Sequence, residues 1–164
     1  MNEAKWIMNK YSYQELKSTK IQSILYFGLI WSIFEDEVCR NNAKISDSRI
    51  LALKLMENIT LSVKRKISLI WNYFYERYTY ENGDIKEIFI NFKFNSNDDK
   101  EFVTYALQKR KNASYEEKTE ALLRIIFRLR NNLLHGEKDV SKLYEQNNNF
   151  KYANKFLMLM VDKK

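Results

Sequence analysis

No proline interrupts the 164 residues of this chain, and glycine occurs only at positions 28, 83 and 136. Proline breaks helices and glycine weakens them, so their scarcity favours long helices over a turn-rich β fold. Apolar residues make up 45% and aromatics 15% of the chain, enough apolar surface to drive folding. The length suits one domain, residues 1–164, with a core of its own. The expectation is an all-α bundle of five or six helices.

In chain order, residues 1–13 read as a short helix or an arm, and Gln14 to about Arg40 as one long helix. Its middle, Ile24 to Phe34, is apolar on nearly every side, which predicts a central place in the bundle. That run is short of the ~20 residues that span a bilayer, so no membrane partner is expected. Gly28, Ser32, Glu35 and Cys39 form a stripe of mostly small residues that would let a neighbouring helix come close. Glu35 would then need a partner, and Arg130 is the candidate; the other reading leaves Glu35 at the helix end beside Asp36 and Glu37.

Asn41 and Asn42 break this helix, and Ser46 or Asp47 caps the next, which runs to about Tyr80 with a break near Asn58 to Thr60. The aromatic stretch Leu69 to Tyr80 could stack bases, but its helical spacing reads as core. Residues 81–84 are a turn. Glu87 to Phe94 alternates with period two and could be a strand, though no second strand is evident; residues 84–97 read as an insertion, extended if that period holds. Asn95 to Asp99 is a loop that ends in an N-cap, and a helix follows to about Lys111. Ser114 and Glu117 form a capping box, and Gly136 stops the helix it opens. Asn148 or Asn149 caps the last helix, with Phe150, Ala153, Phe156, Leu157, Met160 and Val161 inward.

The helix from Ser114 to His135 carries the chemistry-bearing residues. At 100° per residue, Leu122, Ile125, Ile126, Leu129 and Leu133 form one apolar strip and Leu123, Phe127 and Leu134 a second. Arg124, Arg128, Asn131 and His135 line up as a polar stripe, and Arg130 projects between the apolar strips. An apolar arc this wide predicts contact with two bodies: the chain's own core, and a partner or another layer.

The inventory excludes several classes. The chain has one histidine and one cysteine, about a hundred residues apart, which cannot make a zinc site. No HExxH, glycine-rich phosphate loop or G-x-S-x-G is present, and neither metal nor cofactor is expected. Glu116, Glu117 and Glu120 read as first-turn residues that suit a helix dipole. Cys39 alone cannot form an internal disulfide, and Trp6–Met8 is too short for a signal peptide, so a cytoplasmic protein is expected. The net charge of +7, spread over small clusters such as 64–66 and 109–111, is a lysine-rich surface or an attraction for phosphate backbones. The arginines at 124 and 128 tilt that choice towards RNA.

Arg130-Asn131 followed after three residues by His135 resembles the R-x4-6-H signature of the HEPN-domain family. The resemblance implies a small helical bundle, with arginine and histidine from two protomers meeting at a dimer interface. It also implies metal-independent RNA cleavage in active members. On that view Arg130 and His135 are catalytic, Asn131 and Glu35 support them, Arg124 and Arg128 bind RNA, and the partners are a second copy and an antitoxin or defence-system protein. Glu137 departs from the toxin members paired with a nucleotidyltransferase, which carry tyrosine there. The chemistry agrees: histidine exchanges protons near neutral pH, and arginine holds phosphate with a fixed fork of donors. A two-fold dimer would supply the two histidines that an acid and a base require. Three readings stand: an endoribonuclease acting as toxin or antiviral effector, a HEPN module that binds RNA or nucleotide without cutting, and a structural dimerising bundle.

Overall fold

The computed structural model describes residue 6 and residues 18–94, 96–134 and 145–163. Among them are seven α-helices: α1 (Ser18–Glu37), α2 (Ser48–Met56), α3 (Leu61–Tyr78), α4 (Glu87–Ile90), α5 (Asn97–Gln108), α6 (Tyr115–Leu134) and α7 (Asn147–Val161). The fold is an all-α bundle. The count exceeds the expected five or six because α4 is a single turn and the long second segment divides into α2 and α3.

Both breaks fall on asparagine, for a backbone reason. Arg40 and Asn41 have φ of 53° and 59°, and Asn58 has 56°. Asparagine tolerates this left-handed region better than most residues, so the helical ladder stops there. The Asn41 N–H donates back to the Glu35 carbonyl at 2.8 Å, which closes the end of α1. Thr60 caps α3, its hydroxyl accepting from the Val63 N–H, and Ser96 caps α5 by accepting from the Asp99 N–H.

The centre of the bundle is α6. Leu122, Leu123, Ile125, Ile126, Phe127 and Leu129 are all buried, with α2, α3 and α5 packed around them. Both apolar strips of α6 are therefore covered largely by this chain: the second body predicted for Leu123 and Phe127 is another layer of the same fold.

The long first helix is not central. Its main neighbour is α7, not α6 as its apolar middle predicts. Two hydrogen bonds fix that pairing: the Ser23 N–H donates to Asn147 Oδ1 at 3.2 Å, and Asn154 Nδ2 donates to the Ser23 carbonyl at 2.8 Å. Phe27, Trp31 and Phe34 face inward, while Leu25, Tyr26, Leu29 and Ile33 stay exposed. Trp31 reaches across to α6, edge-on to Phe127 with ring centroids 5.0 Å apart.

The aromatic stretch of α3 is core, as its spacing predicts: Trp71, Phe74 and Tyr78 are buried, and Tyr73 stacks on Tyr152. The described residues between 84 and 97 form no strand. Ile85 makes one antiparallel bridge with Thr79, and the chain then coils into α4. The alternating Phe92 and Phe94 still turn inward, packing with Phe89 and Tyr78. The last helix begins at Asn147, before the expected cap, and Asn149 is buried as a tertiary tether that accepts from the Tyr73 hydroxyl at 2.6 Å.

The capping box at α6 is formed. The Ser114 N–H donates to Glu117 Oε2 at 2.7 Å, and the Glu117 N–H donates to Ser114 Oγ at 3.1 Å. Lys109 donates to the other Glu117 oxygen at 2.6 Å and, with the Ser114 N–H, holds this carboxyl below its ordinary pKa. Ser114→Ala should cost about 1 kcal/mol in chemical denaturation. A depressed folded pKa stabilises the fold above the ordinary carboxylate pKa, and that stability is lost as pH falls through the lower folded value. Glu117→Gln should therefore flatten the acid side of a plot of urea midpoint against pH.

Candidate functional site

The second half of α6 presents its polar residues to three different surroundings. Arg124 is the most fully ion-paired of them. It forms ion pairs with Asp99 and, at 2.6 Å, with Glu120, and its guanidinium lies 4.8 Å from the centre of the Phe102 ring. The Asp99 and Glu120 side chains are 6% and 5% exposed. Two carboxylates so far from water need a cation, and Arg124 supplies it. Its geometry joins α5 to α6 and leaves little of its charge for a ligand.

Arg128 is buried, and one turn further on Asn132 is buried too. Both line a cleft of about 450 Å³ between α3, the α4 segment and the start of α7. From α3 the cleft receives Arg77 and Tyr78. Neither was singled out from the sequence; the available signal was a cation, Arg77, inside an otherwise aromatic stretch.

Arg130 lies on the side of α6 away from Arg128, since two residues turn a helix by 200°. It is half-buried over the Trp31 ring, 5.5 Å from the centroid, and Nη1 donates to Asn131 Oδ1 at 3.1 Å. The expected direct pair with Glu35 does not form. Glu35 instead accepts from Trp31 Nε1 at 3.2 Å, so both residues engage the same indole. Among the described residues no carboxylate lies within ion-pairing distance of Arg130. Arg130 and Asn131 are thus together and partly accessible, with Glu35 on the neighbouring helix. His135 and Gly136 lie outside the described residues.

Cys39, half-buried at the end of α1, is pushed up to about 11 by burial and by Glu35 and Asp47. At neutral pH it is a thiol and a poor nucleophile. Among the described residues, no three His, Cys, Asp or Glu side chains cluster as a metal site, and no helix is long and apolar enough to cross a membrane.

In comparisons with known proteins, no family model, curated protein or solved structure matches the chain.

The enclosure of Arg124 gives a stability prediction. Arg124→Ala strands two buried carboxylates and should cost about 3–5 kcal/mol, read as a lower urea midpoint. A variant that also carries Asp99→Asn and Glu120→Gln should recover part of the loss, because no unpaired charge is left behind.

Proposed function

We propose that this protein is a metal-independent endoribonuclease of HEPN type, active as a homodimer, with Arg130 and His135 as its chemical pair. The observation that supports this reading best is the state of Arg130. Its guanidinium is oriented by Trp31 and Asn131, partly exposed, and matched by no carboxylate among the described residues. A cation in that condition suits a phosphate, whose negative charge grows as the phosphorus becomes five-coordinate.

In the proposed reaction the 2′-oxygen attacks phosphorus and the bond to the 5′-oxygen breaks. The products are a 2′,3′-cyclic phosphate and a 5′-hydroxyl. One His135 takes the 2′-hydroxyl proton and the other His135 of the dimer gives a proton to the leaving oxygen. Arg130 of each protomer steadies the phosphate, with Asn131 holding its guanidinium and Glu35 fixing the indole beneath it. RNA contact then falls mainly to Arg130, because Arg124 is committed to Asp99 and Glu120. The role proposed is a cytoplasmic toxin or antiviral effector, restrained by an antitoxin or defence-system partner.

The second copy is assigned to the outer face of α1. Leu25 and Leu29 are 61% and 66% exposed, Tyr26 and Ile33 flank them, and Gly28 has open space where a side chain would go. Among the described residues nothing covers the stripe at Gly28, and a second copy would lie there.

Cleavage should persist in EDTA, leave a cyclic phosphate, and spare DNA. His135→Ala should slow it by about 10²–10⁴ and Arg130→Ala by a similar factor. Wild-type protein that never cuts RNA would favour the non-cleaving RNA- or nucleotide-binding reading, and equal cutting by His135→Ala would remove the site. Leu29→Glu should convert a micromolar dimer to a monomer in light scattering without loss of helicity; an unchanged mass would move the interface elsewhere.

A further inference from the structure

The cleft on the opposite side of α6 from Arg130 has an unsatisfied wall. Tyr78 is 1% exposed and Asn132 6%, yet neither the Tyr78 hydroxyl nor Asn132 Oδ1 makes a hydrogen bond of ordinary geometry; the polar group beside the hydroxyl is the Arg77 guanidinium. Nε of Arg77 is equally buried and equally unpartnered. Among the described residues no carboxylate is within ion-pairing distance of Arg77. Its neighbours are phenols: burial raises the pKa of both Tyr73 and Tyr78, and Arg77 partly offsets the rise. Both phenols therefore remain hydroxyls at neutral pH. Buried polar atoms without partners are rare in folded proteins, and three in one wall call for a ligand or ordered water.

The chemistry of the lining narrows the ligand. Arg77 and Lys93 bring positive charge that outweighs the one carboxylate of the lining, Glu145, and the Tyr78 hydroxyl is a donor, so an anion with several acceptor oxygens fits on the Arg77 side. A bare inorganic anion would leave most of about 450 Å³ empty. Elsewhere the wall includes the carboxamides of Asn91, Asn132, Gln146 and Asn149 and the apolar faces of Ile88 and Phe92. Carboxamides read the donor and acceptor edge of a base, and an aromatic ring stacks on its face.

We propose that this cleft binds one nucleotide unit, its phosphate on Arg77, Lys93 and the Tyr78 hydroxyl and its base against Phe92 with Asn132 as a hydrogen-bond partner. The unit is either a free nucleoside monophosphate or one residue of an RNA strand. The site is separate from Arg130 and independent of cleavage.

Calorimetric titration with three probes tests this: inorganic phosphate, AMP, and a 2′-O-methyl RNA oligonucleotide that cannot be cut by 2′-hydroxyl attack. Binding of AMP, the oligonucleotide, or both is expected, with Arg77→Gln and Lys93→Gln each weakening it about tenfold or more. Arg130→Ala should leave AMP affinity unchanged, which separates this site from the proposed catalytic one. AMP binding points to the free nucleotide, and oligonucleotide binding alone to the RNA strand. Tyr78→Phe guards against misfolding: removing an unpaired buried hydroxyl should leave the melting temperature equal or higher while affinity falls. No binding of AMP or oligonucleotide, binding that Arg77→Gln does not change, or phosphate bound as tightly as AMP would overturn the assignment.

Discussion

The burial of α6 on nearly every side is the constraint on which the rest of the structure depends. From Ala121 to Leu129 the helix has almost no solvent face to hold polar groups, Arg124 alone being partly exposed. Each polar residue there must find its partner in the packing layers. Arg124 meets this demand by drawing Asp99 and Glu120 into one ionic cluster, which sets where α5 lies. Trp31 and Phe127 meet edge to face, which sets where α1 crosses. Towards the end of α6, at Arg130 and Asn131, the enclosure relaxes and a polar pair faces outward.

That relaxation places two kinds of polar surface on one helix end. Arg128 and Asn132 turn into the α3–α4–α7 cleft, while Arg130 and Asn131 turn to the flank of α1. A helical wheel puts Arg128 and Asn131 in one stripe because their spacing is three. In the structure Asn131 is drawn to Arg130, and Asn132 continues the side of Arg128. The wheel describes direction from the axis; the hydrogen bonds decide which neighbour a side chain serves.

Much of the fold was legible in the residues. Asparagines at the helix breaks, the Ser114–Glu117 box and the aromatic spacing of α3 each encode a local preference that packing did not override. The place of α1 was not legible, because an all-round apolar helix looks the same whether its second face is covered by its own chain or left open. The period-two run from Glu87 to Phe94 misled because one helical turn followed by a bend buries Phe89 and Phe92 together and leaves Ile88 and Ile90 exposed, a division that no single strand face gives. At the candidate site, Arg130 and Asn131 were legible from their spacing. The role of Arg124 was not, since Asp99 lies 25 residues upstream and no local pattern joins them. The cleft was hidden because Tyr78 and Asn149 read as core and cap.

The pairing of α1 with α7 also shapes how the chain comes off the ribosome. The hydrogen bond from Ser23 to Asn147 spans 124 residues. At synthesis rates of roughly 5–20 residues per second, α1 waits about 6–25 s for its partner to be made. Until α6 and α7 follow, its inward ring of Phe27, Trp31 and Phe34 is as uncovered as its outer leucines. The nascent helix is then sticky on every side, which makes this the stage most exposed to aggregation and the one at which a chaperone would find the most to hold.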